Sequence, residues 1–117
     1  MTIATVRVER SAAGPVVHVR GEIDVANSDA VRKELFASIP LAGPGMIVDL
    51  SQTTYLDSIG VRLLFEVAER LHTCGQHLVL VVTNEGMIRR VAAFTKLDTL
   101  VPLVTTVDEA ITALQDT

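Results

Sequence analysis

The segment richest in possible chemistry is Tyr55-Leu56-Asp57-Ser58-Ile59-Gly60, a serine beside an aspartate and just ahead of a glycine. A second acidic segment, Gly21-Glu22-Ile23-Asp24, lies upstream. A serine at a helix start can accept from backbone N–H groups two or three residues on. The helix dipole there stabilises an anion placed on it. Gly60 would leave room for the close approach of another backbone or a phosphate. Each residue also has a plainer role: Ser58 as an N-cap, Asp57 as a turn residue, Asp24 as a loop carboxylate. What sets them apart is that both acidic loops follow predicted strands. If those strands run the same way, Asp24 and Ser58 meet at one end of a sheet, where sites form in folds of this class.

The other reactive side chains make weaker patterns. His18, His72 and His77 are scattered, and none has ligand spacing with Cys74, so no metal is expected. The single cysteine excludes an internal disulfide. It reads as a packed or half-exposed thiol. A serine hydrolase would need a histidine base for Ser58. The chain has no G-x-S-x-G, and His18 falls within a predicted strand. Arg89-Arg90 reads as a solvated pair that could touch an acidic partner.

Composition narrows the partners. Apolar residues are 49% of the 117, and charged ones 21%, which argues for a folded core rather than disorder. Aromatics are 3%, with no Trp, so there are no platforms for stacking sugars or single-stranded bases. A net charge of −4 disfavours binding to phosphate backbones, and no direct nucleic-acid contact is expected. No apolar run nears the ~20 residues that span a bilayer, and the N-terminus has no signal-peptide pattern. The expectation is one cytoplasmic domain, residues 1–117, that meets another protein and not a membrane.

The elements that must position the two acidic loops are legible in the periodicity. Ile3 to Glu9 alternates as a half-exposed strand, and Val16 to Arg20 forms its hairpin partner after a turn at Ser11–Pro15. A helix follows from about Asn27 to Ala37, capped by Asn27 or Ser28. Met46 to Leu50 is the third strand, and Ser51 to Thr54 reads as polar loop. Ile59, Leu63, Leu64, Val67, Ala68 and Leu71 give the strongest helix, which Gly75 ends. Leu78 to Val82 is apolar throughout, as in a strand covered on both faces. Asn84 can cap a helix bearing Met87, Ile88, Val91 and Phe94. A short strand between Leu100 and Val104 and a last helix over Val107 to Leu114 complete the chain; Asp108 and Glu109 suit that helix's start. The order ββαβαβαβα predicts an α/β fold with a mixed, mostly parallel sheet of about five strands and about four helices, linked by right-handed crossovers.

On these residues the chain resembles the stand-alone STAS domains of the bacterial anti-sigma factor antagonist group. Gly21-Glu22-Ile23-Asp24 matches the family's G-E-L-D, and Leu56-Asp57-Ser58-Ile59-Gly60 its hydrophobic-D-S-S/T-G. Phe94-Thr95-Lys96-Leu97 and Thr106 to Ala110 are weaker matches. The resemblance implies the STAS fold and a non-enzymatic, cofactor-free regulator. It makes Ser58 the phosphoacceptor, with Asp24, Asp57, Glu22, Ile59 and Gly60 around it. The implied partners are an anti-sigma factor with serine kinase activity and a metal-dependent serine phosphatase. The unphosphorylated form would bind the anti-sigma factor and free a sigma factor; phosphorylation would end that binding. One position departs from the motif: Ile59 stands where the family has Ser or Thr.

Two other readings stay open at this level. One is a STAS scaffold never phosphorylated, serving in a transporter or signalling complex. The other is a receiver-like domain phosphorylated on Asp57 with magnesium. The second would need a lysine after a late strand, and Leu100 to Thr106 contains none.

Overall fold

The computed structural model describes residues 3–117. Strand β1 (Ala4–Ser11) turns through Ala12 and Ala13 into β2 (Gly14–Ile23), its antiparallel partner. Helix α1 (Ser28–Ala37), β3 (Gly45–Leu56), α2 (Ser58–Thr73) and β4 (His77–Val81) follow. Then come α3 (Met87–Phe94), a single turn α4 (Leu97–Leu100), β5 (Leu103–Val104) and α5 (Val107–Gln115). The sheet order is β1-β2-β3-β4-β5, and every pair after the hairpin is parallel. Among the described residues there are five helices where about four were expected, because Leu97 to Leu100 coils into the short α4 before β5.

The sheet is covered unequally. On one face Val17, Val19, Met46, Val48, Leu50, Leu78 and Leu80 pack under α1 to α4 in the main core. On the other, α5 alone lays Ala110 and Leu114 over Val16, Ile47, Val79 and Val81. Strand β4 feeds both clusters, which explains its unbroken apolar sequence.

Two boundaries and two side-chain roles differ from the sequence-based expectation. Ser51 to Thr54 is not loop: β3 continues through it to Leu56. Alternation keeps Gln52 and Thr54 exposed, while Thr53 turns inward and its hydroxyl donates to Val19 O at 2.8 Å; the register shift at Thr54 leaves Tyr55 exposed as well. Helix α3 begins at Met87 behind Gly86, so Asn84 does not cap it. Phe94 is 89% exposed, because it sits two residues past buried Ala92 and so about 200° round the helix from it. Asn27 does occupy the N-cap of α1, but its side chain makes no capping bond; its Oδ1 accepts from Asp24 N instead.

Helix α5 is held at its start by a reciprocal cap. Glu109 N donates to Thr106 Oγ1 at 3.1 Å, and Thr106 N donates to Glu109 Oε1 at 3.0 Å. The Thr105 hydroxyl, bonded to the same carboxylate at 2.6 Å, is the main cause that holds the Glu109 carboxyl below its ordinary range. Thr106→Ala removes one half of this box. It is expected to destabilise the fold by about 1 kcal/mol in denaturant melts, since α5 alone covers its face.

Candidate functional site

The end of the sheet where β2 and β3 stop is built by register. Ile23 and Leu56 are parallel partners and the last residues of their strands. The next residues, Asp24 and Asp57, therefore emerge side by side, with Asp57 N donating to Ile23 O at 3.3 Å. Both acidic loops meet at one end, as the parallel reading required.

Asp57, rather than Ser58, caps α2. Its Oδ1 accepts from Ile59 N and Gly60 N, each at 3.0 Å, with an extended backbone of φ −94° and ψ −175°. This moves Ser58 one place on, to the first helical residue. Ser58 is exposed, and its hydroxyl has no hydrogen-bond partner among the described residues. An Asp three residues before Gly60 at a strand-to-helix junction carried the signal, since Asp caps as well as Ser.

Asp24 is half-buried and embedded in the turn that follows β2. Its Oδ1 accepts from Ala26 N at 2.8 Å and its carbonyl from Ser28 N at 2.8 Å. Asn27 Nδ2 donates to Glu22 O at 2.7 Å and closes the loop, leaving the Glu22 side chain exposed. Gly21 opens this loop with φ 105°, and a side chain there would collide with the Ile3 carbonyl.

Of the two approaches Gly60 could allow, the packing around it is with a neighbouring stretch of the chain itself. Gly60 is buried, and a Cβ on it would strike Leu56 Cδ1 and crowd Ile23 Cγ2. Its missing side chain admits the ends of β2 and β3 rather than an outside ligand. Ile59, one of the apolar residues that predicted this helix, is 38% exposed, because it lies on the side of the first turn of α2 away from buried Gly60 and Val61. Val25 and Tyr55, 74% and 41% exposed, add apolar surface at the same end. Sequence reasoning passed over both, although Tyr55 is the chain's one tyrosine.

The site holds a hydroxyl, two flanking carboxylates and a helix N-terminus. Neither His18 nor His72 is placed there to serve as a base for the serine. His72 lies about 21 Å along α2 from Ser58. His18 is engaged on the sheet, where its ring nitrogens reach Asp49 Oδ2 at 2.7 Å and Glu9 Oε1 at 2.6 Å. No three His, Cys, Asp or Glu side chains among the described residues are placed to hold a metal ion. No helix among them is long and apolar enough to cross a membrane.

The bond from His18 is the largest influence holding the Glu9 carboxyl below its ordinary value. A carboxyl with a depressed folded-state pKa stabilises the fold above its unfolded value, and loses that stability as pH falls through its folded value. Glu9→Gln should therefore flatten the acid limb of the stability–pH curve. Urea melts between about pH 5 and pH 2 would show it, and an unchanged limb would mean the Glu9–His18 contact contributes nothing.

Comparison with known proteins agrees with this fold. The chain superposes on the crystal structure of an anti-sigma factor antagonist from Mycobacterium paratuberculosis with a TM-score of 0.88 at 32% identity, covering 97% of this chain and 96% of that one. A putative anti-sigma factor antagonist from Thermotoga maritima shares the fold at TM-score 0.79 and 21% identity, over 94% of each chain. So does the Bacillus cell fate determinant SpoIIAA in its phosphorylated form, at TM-score 0.67 and 21% identity, over 94% of this chain and 99% of that one. A family model, that of the STAS domain, matches residues 4–110, from the edge strand into the last helix. With its two acidic loops meeting beside Ser58 on this five-stranded mixed sheet, the chain belongs to the STAS domain family.

Proposed function

We propose that the protein is an anti-sigma factor antagonist switched by phosphorylation of Ser58. In the unphosphorylated state it binds an anti-sigma factor that is also a serine kinase, and so frees a sigma factor. A serine phosphatase restores that state. The protein has no catalytic activity of its own and works within the cytoplasm.

The observation that carries this reading is the placement of Ser58. It is exposed at the first position of a 16-residue helix, and the preceding Asp57 ties down the backbone around it. A kinase can reach such a hydroxyl without unfolding anything. The helix dipole offsets part of the added charge. The exposed side chains of Ile59, Tyr55 and Val25 give a partner an apolar footing beside the hydroxyl. Ile59 replaces a hydroxyl residue of the family motif and makes this footing larger.

The test is incubation with ATP and the cognate anti-sigma kinase, followed by mapping of phosphate by mass spectrometry. Phosphate is expected on Ser58 alone, and Ser58→Ala should abolish it while still binding the kinase. Phosphate elsewhere, or none, overturns the proposal. Acid-labile phosphate on Asp57 would favour receiver-like chemistry instead.

A further inference from the structure

We infer that the free edge of β1 docks a second copy of this chain, antiparallel, about a two-fold axis at Val8. Among the described residues strand β1 pairs only with β2, so one of its edges has no strand beside it there. The hairpin fixes which residues point their backbone outward. Ser11 pairs with Gly14 across a two-residue turn, and Glu22 N donates to Ile3 O at 3.0 Å. In an antiparallel ladder the bonded residues alternate. Ile3, Thr5, Arg7, Glu9 and Ser11 therefore direct N–H and C=O toward β2. Ala4, Val6, Val8 and Arg10 direct theirs away from the sheet.

Charges on an edge strand ordinarily keep strands apart. Here their order selects one register. With the axis at Val8, Arg7 of each copy faces Glu9 of the other, on the face of the sheet that carries α5. Centring on Arg7 or on Glu9 sets like charges opposite each other. Centring on Val6 leaves Arg7 opposite Thr5 and Glu9 unmatched. The backbone can pair in each of these registers, and only the one centred on Val8 sets both arginines opposite glutamates. Val8 itself is 46% exposed and would meet its own copy on the opposite face.

The side chains are prepared for the exchange. Glu9 is anchored through Oε1 to His18, while its Oε2 has only a loose contact of 3.5 Å with Arg7, whose side chain is 67% exposed. An arginine arriving from the second copy can take that oxygen. About six backbone hydrogen bonds would form, from Val6, Val8 and Arg10 of each copy. Such an edge buries less than the ~1,600 Å² of a standard interface, so the dimer should be weak and concentration-dependent. The axis lies about 20 Å along β2 from Ile23, so both Ser58 sites would remain open. The inference does not depend on what Ser58 does.

Sedimentation equilibrium on the full chain, up to about 1 mM, tests it. The wild type should dimerise. Arg7→Glu should weaken the dimer at least about tenfold, and Arg7→Glu with Glu9→Arg should recover it to within about threefold. Val8→Pro should give a monomer with an intact hairpin, because it removes only an outward N–H. In a Cys74→Ser background, Val8→Cys should oxidise to a disulfide-linked dimer. A wild type that stays monomeric at the highest concentration overturns the inference. So does an Arg7→Glu variant that dimerises like the wild type. Thermal melts check folding; should the double swap unfold, Val8→Pro and the Val8→Cys cross-link decide between dimer and monomer.

Discussion

A phosphoryl group on Ser58 is expected to weaken binding to the anti-sigma partner by more than about a hundredfold, or ~3 kcal/mol. It adds about −1.5 to −2 charge. That charge lands next to Asp57, at the sheet end where the Asp24 loop also emerges. A partner surface shaped for a neutral hydroxyl then faces a concentrated negative patch. The fold itself should survive, since the helix N-terminus tolerates an anion and Ser58 makes no internal bond that phosphate would break. Thermal melts of the phosphorylated form should accordingly change little. Ser58→Glu should act in the same direction but less strongly, because one carboxylate carries less charge. Calorimetric titration of the three forms against the partner is the direct measurement. Equal affinity for the free and phosphorylated protein would contradict a charge-based switch. Loss of binding in folded Ser58→Ala would instead make the hydroxyl itself a contact.

Gly60→Val is expected to destabilise the protein by roughly 1–3 kcal/mol and to disturb the site as well. The new side chain would have to occupy space held by Leu56 and Ile23. Those two residues end β3 and β2 and hold the loops of Asp57 and Asp24 in place. Helix propensity works the other way: exchanging Gly for a better helix former gains up to about 1 kcal/mol in a helix interior. The contact should outweigh it, because Leu56 is buried and has little room to withdraw. Gly60→Ala should fall between wild type and Gly60→Val. Guanidinium melts give the stability, and the rate of Ser58 phosphorylation reports the site. A stabilised Gly60→Ala variant would show that Leu56 yields freely.

The legible part of the fold was the part written in strong periodicity. The apolar run of β4 and the repeat from Leu63 to Leu71 stand out because each is buried on a face that nothing polar interrupts. The C-terminal half of β3 is the opposite case. Gln52, Thr54 and Tyr55 look like loop residues because that part of the sheet has no helix over its second face, so alternation there is between polar side chains. Phe94 misled for a related reason: apolar character suggested a buried face, but angular position on α3 decided otherwise.

At the site, residue types alone brought Asp24, Asp57 and Ser58 forward together. They could not divide the roles among them. Asp57 and Ser58 are both good caps, one residue apart, and only the backbone path out of β3 decides which comes first. Likewise Gly60 could have admitted a ligand or a strand, and the packing of Leu56 and Ile23 against it chose the strand. The cross-strand contact of His18 with Glu9 and Asp49 had no local signature, since its members come from three strands.

By itself the sequence determined the α/β class, the hairpin, the parallel crossovers and the two acidic loops. These follow from local patterns: the period of apolar side chains, turn residues, and strands alternating with helices. The tertiary structure alone decided that Asp57 caps, that Ser58 and Ile59 stand exposed, and that Gly60 is an internal contact. Those outcomes depend on where strands end relative to helices, and on which faces find a cover. Such facts arise from distances between residues far apart in the chain, which no local pattern encodes.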